Sequence, residues 1–301
     1  MQRKSSVFQE IKNQFRFGSI TNRLLLLNFF VFVGIHLYLA ILKLSNTPDE
    51  GYLHLPEKIF SLNTDPTLIL YRPWTLITSL FAHYEFFHFL QNMLFLFVTG
   101  RLLEQFFDKN KVFWIYLLGG ITGSIFELLA HNTLPYYEGS TANVLGASGA
   151  LMAMLSAIAF YKPHLKIPFF GLFEVRILFI AVFFILLDLL NLSKGVNDQI
   201  AHFSHIGGVF FGFIAIQNMH TSNNVLNFTE RMWQRLKQFF SRKRNSTSKQ
   251  SRQFKKDEDY AYEKTKKQER TDMILDKIAK SGYESLNKEE KDFLFNQSKN
   301  L

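Results

Sequence analysis

Gly146-Ala147-Ser148-Gly149 places a hydroxyl between glycines at the head of an apolar run. A serine hydroxyl is a poor nucleophile until a neighbouring base takes its proton. His205, in Ala201-His202-Phe203-Ser204-His205-Ile206-Gly207-Gly208, is the base on offer. Gly208 and Gly212 lie at i+3 and i+7 from His205, on one helical face. That face must press on another helix, with the imidazole in the seam. Ionisable groups inside apolar spans are costly and mostly functional. His202, one turn nearer the outer surface, is the second choice of base. Ser148 sits near the start of its helix, where backbone N–H groups and the dipole favour an anion. The oxyanion of a tetrahedral intermediate needs such a place. Gly146 and Gly149 allow close backbone approach. Taken without His205, the Gly-Ala-Ser-Gly stretch reads as small residues that let helices pack.

His88 and Asn92 are i, i+4 neighbours able to donate to an oxyanion. The competing reading is a hydrogen bond that fastens their helix to another. A zinc site of the H-E-x-x-H type is rejected. His83 and His88 are five residues apart, about 140° around a helix, where that site needs i, i+4. Glu127 and Asp188 fall near the outer ends of their apolar runs and read as structural or water-facing groups. A third, carboxylate member of the Ser–His set is open for Asp188, but the sequence does not support it. The chain has no cysteine, so thiolate nucleophiles and Cys-type metal sites are excluded. No cofactor or metal is expected.

Six apolar runs carry these groups, each near the roughly 20 residues needed to span a bilayer. They are 24–42, 84–106, 112–130, 144–161, 169–190 and 200–219. Six in series predict an all-α, polytopic membrane protein with a six-helix bundle over 24–219. Lys and Arg gather before the first run (Lys12, Arg16, Arg23), between the second and third (Arg101, Lys109, Lys111), and around the gap after the fourth (Lys162, Lys166, Arg176). The segment 131–143 has none, and 193–199 only Lys194. This asymmetry predicts cytoplasmic N- and C-termini. His88 and Asn92, Ser148 and His205 then all lie roughly 5–12 Å below the outer boundary at ~1.5 Å per residue. Groups sharing a depth can meet.

The formal net charge is +9, and residues 231–270 alone hold 14 Lys and Arg against 5 Asp and Glu. The excess charge therefore sits behind the apolar domain, where anionic lipid head groups are the expected partner and nucleic acid is not. The polar, mildly basic first 20 residues show no cleavable signal. Leu226, Trp233, Leu236 and Phe240 mark one face of an interfacial helix, the start of a basic segment over 220–270. Residues 241–256 read as a disordered linker. A small helical extension follows over 271–301, with Gly282 as a stop and Asn287 with Glu290 as a capping box.

This pattern resembles the rhomboid family of intramembrane serine proteases. The resemblance rests on Gly-x-Ser-Gly at 146–149, His-x-Gly-Gly at 205–208 and His-x-x-x-Asn at 88–92. It is joined by Arg72-Pro73-Trp74 with His83, and by Gly100-x-x-x-Glu104. It implies a Ser148–His205 dyad without an essential Asp. It implies an oxyanion hole from His88, Asn92 and the Ser148 N–H. The implied substrate is a transmembrane segment of another protein, cut near the outer boundary. Water would enter from outside, gated by the fifth span and 193–199. Two departures stand out: Met152 replaces the usual aromatic four residues after the serine, where its sulfur can still contact the base, and Tyr71-Arg72 replaces the usual Trp-Arg order. Residues 274–278 and 293–295 resemble the extension of rhomboids from Bacteroidetes-type bacteria, which implies a bacterial inner (plasma) membrane. Non-catalytic relatives usually lose the Ser or the His, and this chain keeps both.

Overall fold

In a computed structural model of the chain, the described residues are 18–45, 54–169, 173–192, 201–219, 221, 223–242, 271, 273–275, 277–278, 280, 282 and 285–298. The elements in order are α1 (Ile20–Leu44), α2 (Leu55–Phe60), β1 (Leu62–Asn63), α3 (Pro66–Tyr71), α4 (Thr75–Thr78), α5 (Phe86–Glu104), α6 (Lys109–Thr133), β2 (Asn143–Val144), α7 (Ser148–Tyr161), β3 (Lys166–Phe169), β4 (Phe173–Arg176), α8 (Ile177–Leu192), α9 (His202–Ile216), α10 (Val225–Arg242) and α11 (Lys288–Ser298). They fall into two units, Met1–Trp233 and Gln234–Leu301. The predicted linker 241–256 and the loop 193–199 lie largely or wholly outside the described residues.

Three helices, α1, α5 and α6, are long and apolar enough to cross a membrane. The chain is a multi-pass membrane protein of all-α type, with two small antiparallel strand pairings among the described residues. The other apolar helices, α7, α8 and α9, have 14, 16 and 15 residues. At ~1.5 Å per residue they extend roughly 21–24 Å, less than a hydrocarbon core of about 30 Å. Two of the expected boundaries move for this reason. The fourth run begins at Ser148, because Asn143 and Val144 pair as a strand with Asn63 and Leu62. The fifth begins at Ile177, because Lys166–Phe169 and Phe173–Arg176 form an antiparallel hairpin. Pro168 removes a backbone donor there, so a helix has little claim on the segment.

α7 is the centre of the bundle. Every residue from Gly149 to Ala159 is buried. Small residues bring its neighbours to backbone distance. A Cβ on Gly208 of α9 would run into the Gly149 carbonyl, and one on Gly212 into Ser156 and the Ala153 carbonyl. Residue numbers rise together along the two helices, so α7 and α9 run parallel. Ser156 Oγ donates to the Val209 carbonyl at 2.9 Å, adding a polar tie across the same seam. In an apolar solvent this close packing, rather than hydrophobic burial, holds helices together.

Polar anchors fix the outer elements around this pair. Thr21 N–H donates to Glu104 Oε1 at 3.0 Å, and a Cβ on Gly100 would strike the Thr21 side chain. The start of α1 is thus locked to the end of α5, which accounts for the Gly100-x-x-x-Glu104 pattern. Asn28 donates to Tyr116 Oη at 3.3 Å, and Tyr116 donates to the Leu80 carbonyl at 3.0 Å. Arg72 donates to the Lys58 carbonyl and Trp74 Nε1 to the Ile59 carbonyl, so the segment with the altered Tyr-Arg order remains anchored to α2.

Asn224 caps α10, accepting from Leu226 N–H at 2.9 Å, and Leu226 is fully buried in the core. Trp233 and Leu236 are exposed. In the second unit, Gly282 takes φ +76° and its N–H donates to the Ile278 carbonyl at 2.9 Å. Asn287 N–H donates to Glu290 and Glu290 N–H to Asn287 Oδ1, the reciprocal capping box expected for α11.

Candidate active site

Ser148 is the first residue of α7, with Ala147 as the cap residue. Helical geometry leaves the first N–H groups of such a helix without partners inside it. The segment leading into Ser148 is held from the other side. Gly146 N–H donates to the Ser79 carbonyl at 2.9 Å, and Ala147 N–H donates to His83 Nε2 at 3.3 Å. His83 is fully buried and lies before α5 rather than on it. Its ring meets that of His88 edge to face, with centroids 5.2 Å apart. The residue first weighed as half of a zinc pair is therefore a support for the turn that delivers Ser148.

Gly146 has φ +113°, a region that L side chains avoid. A Cβ there would also lie 2.8 Å from His88 Cε1. Two separate constraints thus require glycine at this position. They also place His88 beside the turn that leads to Ser148. Asn92 is buried one turn along α5, and its Nδ2 donates to the His88 carbonyl at 3.0 Å.

His205 lies in the first turns of α9, half-buried. Its helix meets α7 where a Cβ on Gly149 would lie 2.5 Å from Ser204 Oγ, and where Gly208 abuts the Gly149 carbonyl. Ser148 immediately precedes that contact on α7, and His205 lies between Ser204 and Gly208 on α9. The parallel run of the helices keeps both residues at the same level. Met152, one turn past Ser148, is buried in the core.

The carboxylates divide in a way the sequence did not reveal. Glu127 is buried and accepts from Ser204 N–H at 2.8 Å, while His131 Nδ1 sits 3.3 Å from its other oxygen. It satisfies the start of α9 and is structural. Asp188, read from sequence as structural or water-facing, is paired with two imidazoles: His205 Nδ1 lies 2.8 and 2.9 Å from its two oxygens, and His202 Nδ1 lies 3.1 Å from one of them. The His202 and His205 rings are perpendicular, 6.4 Å apart. Asp188, His202 and His205 each offer one ligand atom within 4.8 Å of the others. Among the described residues this trio is the group whose donor atoms lie close enough together to share an ion. Both Nδ1 atoms are already within hydrogen-bond distance of the carboxylate, so the cluster is satisfied by its own members.

Comparison with known proteins meets this geometry from another direction. A family model described as Rhomboid domain matches residues 71–221, half of the chain and all the residues named above. A second, a family of unknown function (DUF6576), matches residues 255–300. The chain is 31% identical over 151 residues to RHOMBOID-like protein 12, mitochondrial, of Arabidopsis thaliana, covering 47% of this chain and 45% of that protein. It is 35% identical over 100 residues to Rhomboid protein 1, mitochondrial, of Saccharomyces cerevisiae, covering 32% and 27%. Inactive RHOMBOID-like protein 8 of Arabidopsis thaliana is 30% identical over 135 residues, covering 45% and 35%. The chain spans less than half the length of each of these relatives.

Proposed function

The chain belongs to the rhomboid family, and from that membership we propose that it is an intramembrane serine endopeptidase. Its substrates are transmembrane segments of other membrane proteins, cut near the outer membrane boundary. Ser148 is the nucleophile and His205 the base. His205 takes the Ser148 proton as Oγ attacks the scissile carbonyl, and returns it to the leaving amine. The acyl group left on Ser148 is released by water, with His205 again accepting and returning the proton. His88, Asn92 and the Ser148 N–H hold the oxyanion in both halves of the reaction. Gly146 and Gly149 give the turn its shape, Gly208 and Gly212 bring α9 onto α7, and Met152 packs beneath the site. The six-span topology, cytoplasmic termini, a bacterial inner membrane, and the basic tail on anionic lipid head groups are parts of the same reading.

The observation that carries this reading is the parallel seam of α7 and α9. Along it, α7 and α9 meet at one backbone contact, one residue from the half-buried Ser148 and one turn from the half-buried His205, which supports the pairing. The test uses the full chain in liposomes with a labelled transmembrane substrate. Ser148→Ala and His205→Ala should each abolish cleavage while the protein still inserts. Retained cleavage in either variant removes the proposal.

A second reading, a non-catalytic protein that binds transmembrane clients, is favoured by the similarity to a relative named inactive. A fluorophosphonate probe separates the two: covalent labelling lost in Ser148→Ala identifies an activated serine, and no labelling of the wild-type chain favours client binding.

A further inference from the structure

The proposed mechanism leaves Asp188 without a task. It is the sole acidic residue of α8, whose sequence is otherwise Leu, Ile, Phe, Val and Ala with a single Asn. Only Ile177 and Ala181 of this helix are buried, and Phe179, Phe183, Leu186, Leu189 and Leu190 are exposed on a surface that meets lipid. An ionisable group on such a helix is costly unless it is paired and used. Asp188 is paired twice, and one partner is the base itself. Its side chain is 12% exposed, and the His205 side chain 14%.

We propose that Asp188 is a positioning residue for His205. The inference rests on the Ser148–His205 reading. A carboxylate can only accept, so the 2.8 Å contact fixes the proton of a neutral His205 on Nδ1. Nε2 is then the nitrogen with a lone pair, and Nε2 must face Ser148 for the proton transfer. The second oxygen, at 2.9 Å, holds the ring plane. As His205 takes up the Ser148 proton, the same carboxylate stabilises the cation without itself gaining a proton. His202 Nδ1 reaches the same Oδ1 at 3.1 Å and steadies the carboxylate. The result is a three-residue set drawn from three helices: Ser148 from α7, His205 from α9 and Asp188 from α8. A dyad with no carboxylate, the expectation from family resemblance, needs no acid at this position.

Two substitutions separate positioning from a mere tie between helices. Asp188→Asn keeps the shape but offers an amide N–H that can bond Nδ1 in the wrong tautomer. It should lower kcat by about 100-fold or more while KM stays within about threefold, as loss of an orienting carboxylate does elsewhere. Asp188→Ala opens a space of carboxylate size. Its kcat should fall similarly, and added formate should restore at least about tenfold of the loss by supplying the missing acceptor. Both are measured on the full chain in liposomes, with thermal midpoints taken alongside and Ser148→Ala as reference. A kcat within about threefold of wild type in either variant, or no response of Asp188→Ala to formate, refutes the role. Should Asp188→Asn fail to insert, Asp188→Ala with formate still decides. Cleavage that survives in Ser148→Ala fails the parent reading instead, so the two failures are distinguishable.

Discussion

Gly208→Ala tests whether the seam between α7 and α9 sets catalytic geometry. The added methyl group would meet the Gly149 carbonyl oxygen head on, with Gly149 C at 3.0 Å and Ala153 N at 3.3 Å. All three are backbone atoms, so no side chain can rotate aside. Ordinary contact between such atoms is roughly 3.5–4.0 Å. The carbonyl oxygen is the nearest of the three, so the helices must part by roughly 1 Å or more. Ser148 lies one residue from this contact and His205 one turn from it, so nearly all of the movement reaches the reacting pair. A displacement of about 1 Å costs about 100-fold in rate, equal to ~2.7 kcal/mol in the barrier. Overpacking should lower stability by a further ~1–3 kcal/mol. The assay is cleavage of a labelled transmembrane substrate in liposomes, with fluorophosphonate labelling rates and thermal midpoints measured in parallel. Gly34→Ala in α1 is the control, because a Cβ there meets nothing within 4 Å. Full activity in Gly208→Ala, or an equal loss in Gly34→Ala, refutes the claim that this seam carries the geometry.

Two further predictions concern the supports around the site. Gly146→Ala combines a φ of +113° with a Cβ 2.8 Å from His88. Relief of ~1–3 kcal/mol of strain by moving the turn should cost about 10- to 100-fold in kcat, read in the same cleavage assay; unchanged turnover would separate His88 from the reaction. Asp65 caps α3 by accepting from Thr67 Oγ1 and N–H at 2.7 and 2.8 Å, and these bonds, the hydroxyl first, hold its carboxyl below the ordinary range. A lowered folded value means its contribution is present above about pH 4 and fades as pH falls below that. Amide exchange in Pro66–Tyr71, corrected for intrinsic rate, should rise on acidification in wild type and be high at all pH values in Asp65→Ala.

The packing face of α9 was legible because its signals are local. Glycines at i+3 and i+7 from His205 announce a face, and that face meets α7 as the spacing requires. The Gly282 and Asn287 signals are of the same kind. Asp188 was not legible. Its partner lies 17 residues away on a different helix, and no pattern within α8 says which neighbour the carboxylate meets. The starts of α7 and α8 were misplaced for a related reason. Hydropathy counts apolar residues, and Val144 or Phe173 is as apolar in a strand as in a helix. What makes Val144 a strand is Leu62, 82 residues earlier. The hairpin before α8 did leave a local mark in Pro168, which a 20-residue window averages away.

The short length of α7 bears directly on how a membrane can host hydrolysis. Fourteen residues reach roughly 21 Å, so a helix whose far end reaches one membrane face begins inside the bilayer rather than at its edge. Irregular backbone at that depth survives only where protein or trapped water satisfies it. Here the chain ahead of Ser148 is satisfied by protein: Val144 by pairing with Leu62, Gly146 by the Ser79 carbonyl, Ala147 by His83. The N–H groups of the first helical turn come next, and an α-helix cannot bond them internally. Backbone held in this way, followed by a turn of donors, makes a place suited to an anion. On the proposed reading the oxyanion fills that place during each turnover, and the glycines at 146, 149 and 208 are what allow the surrounding backbone to close around it.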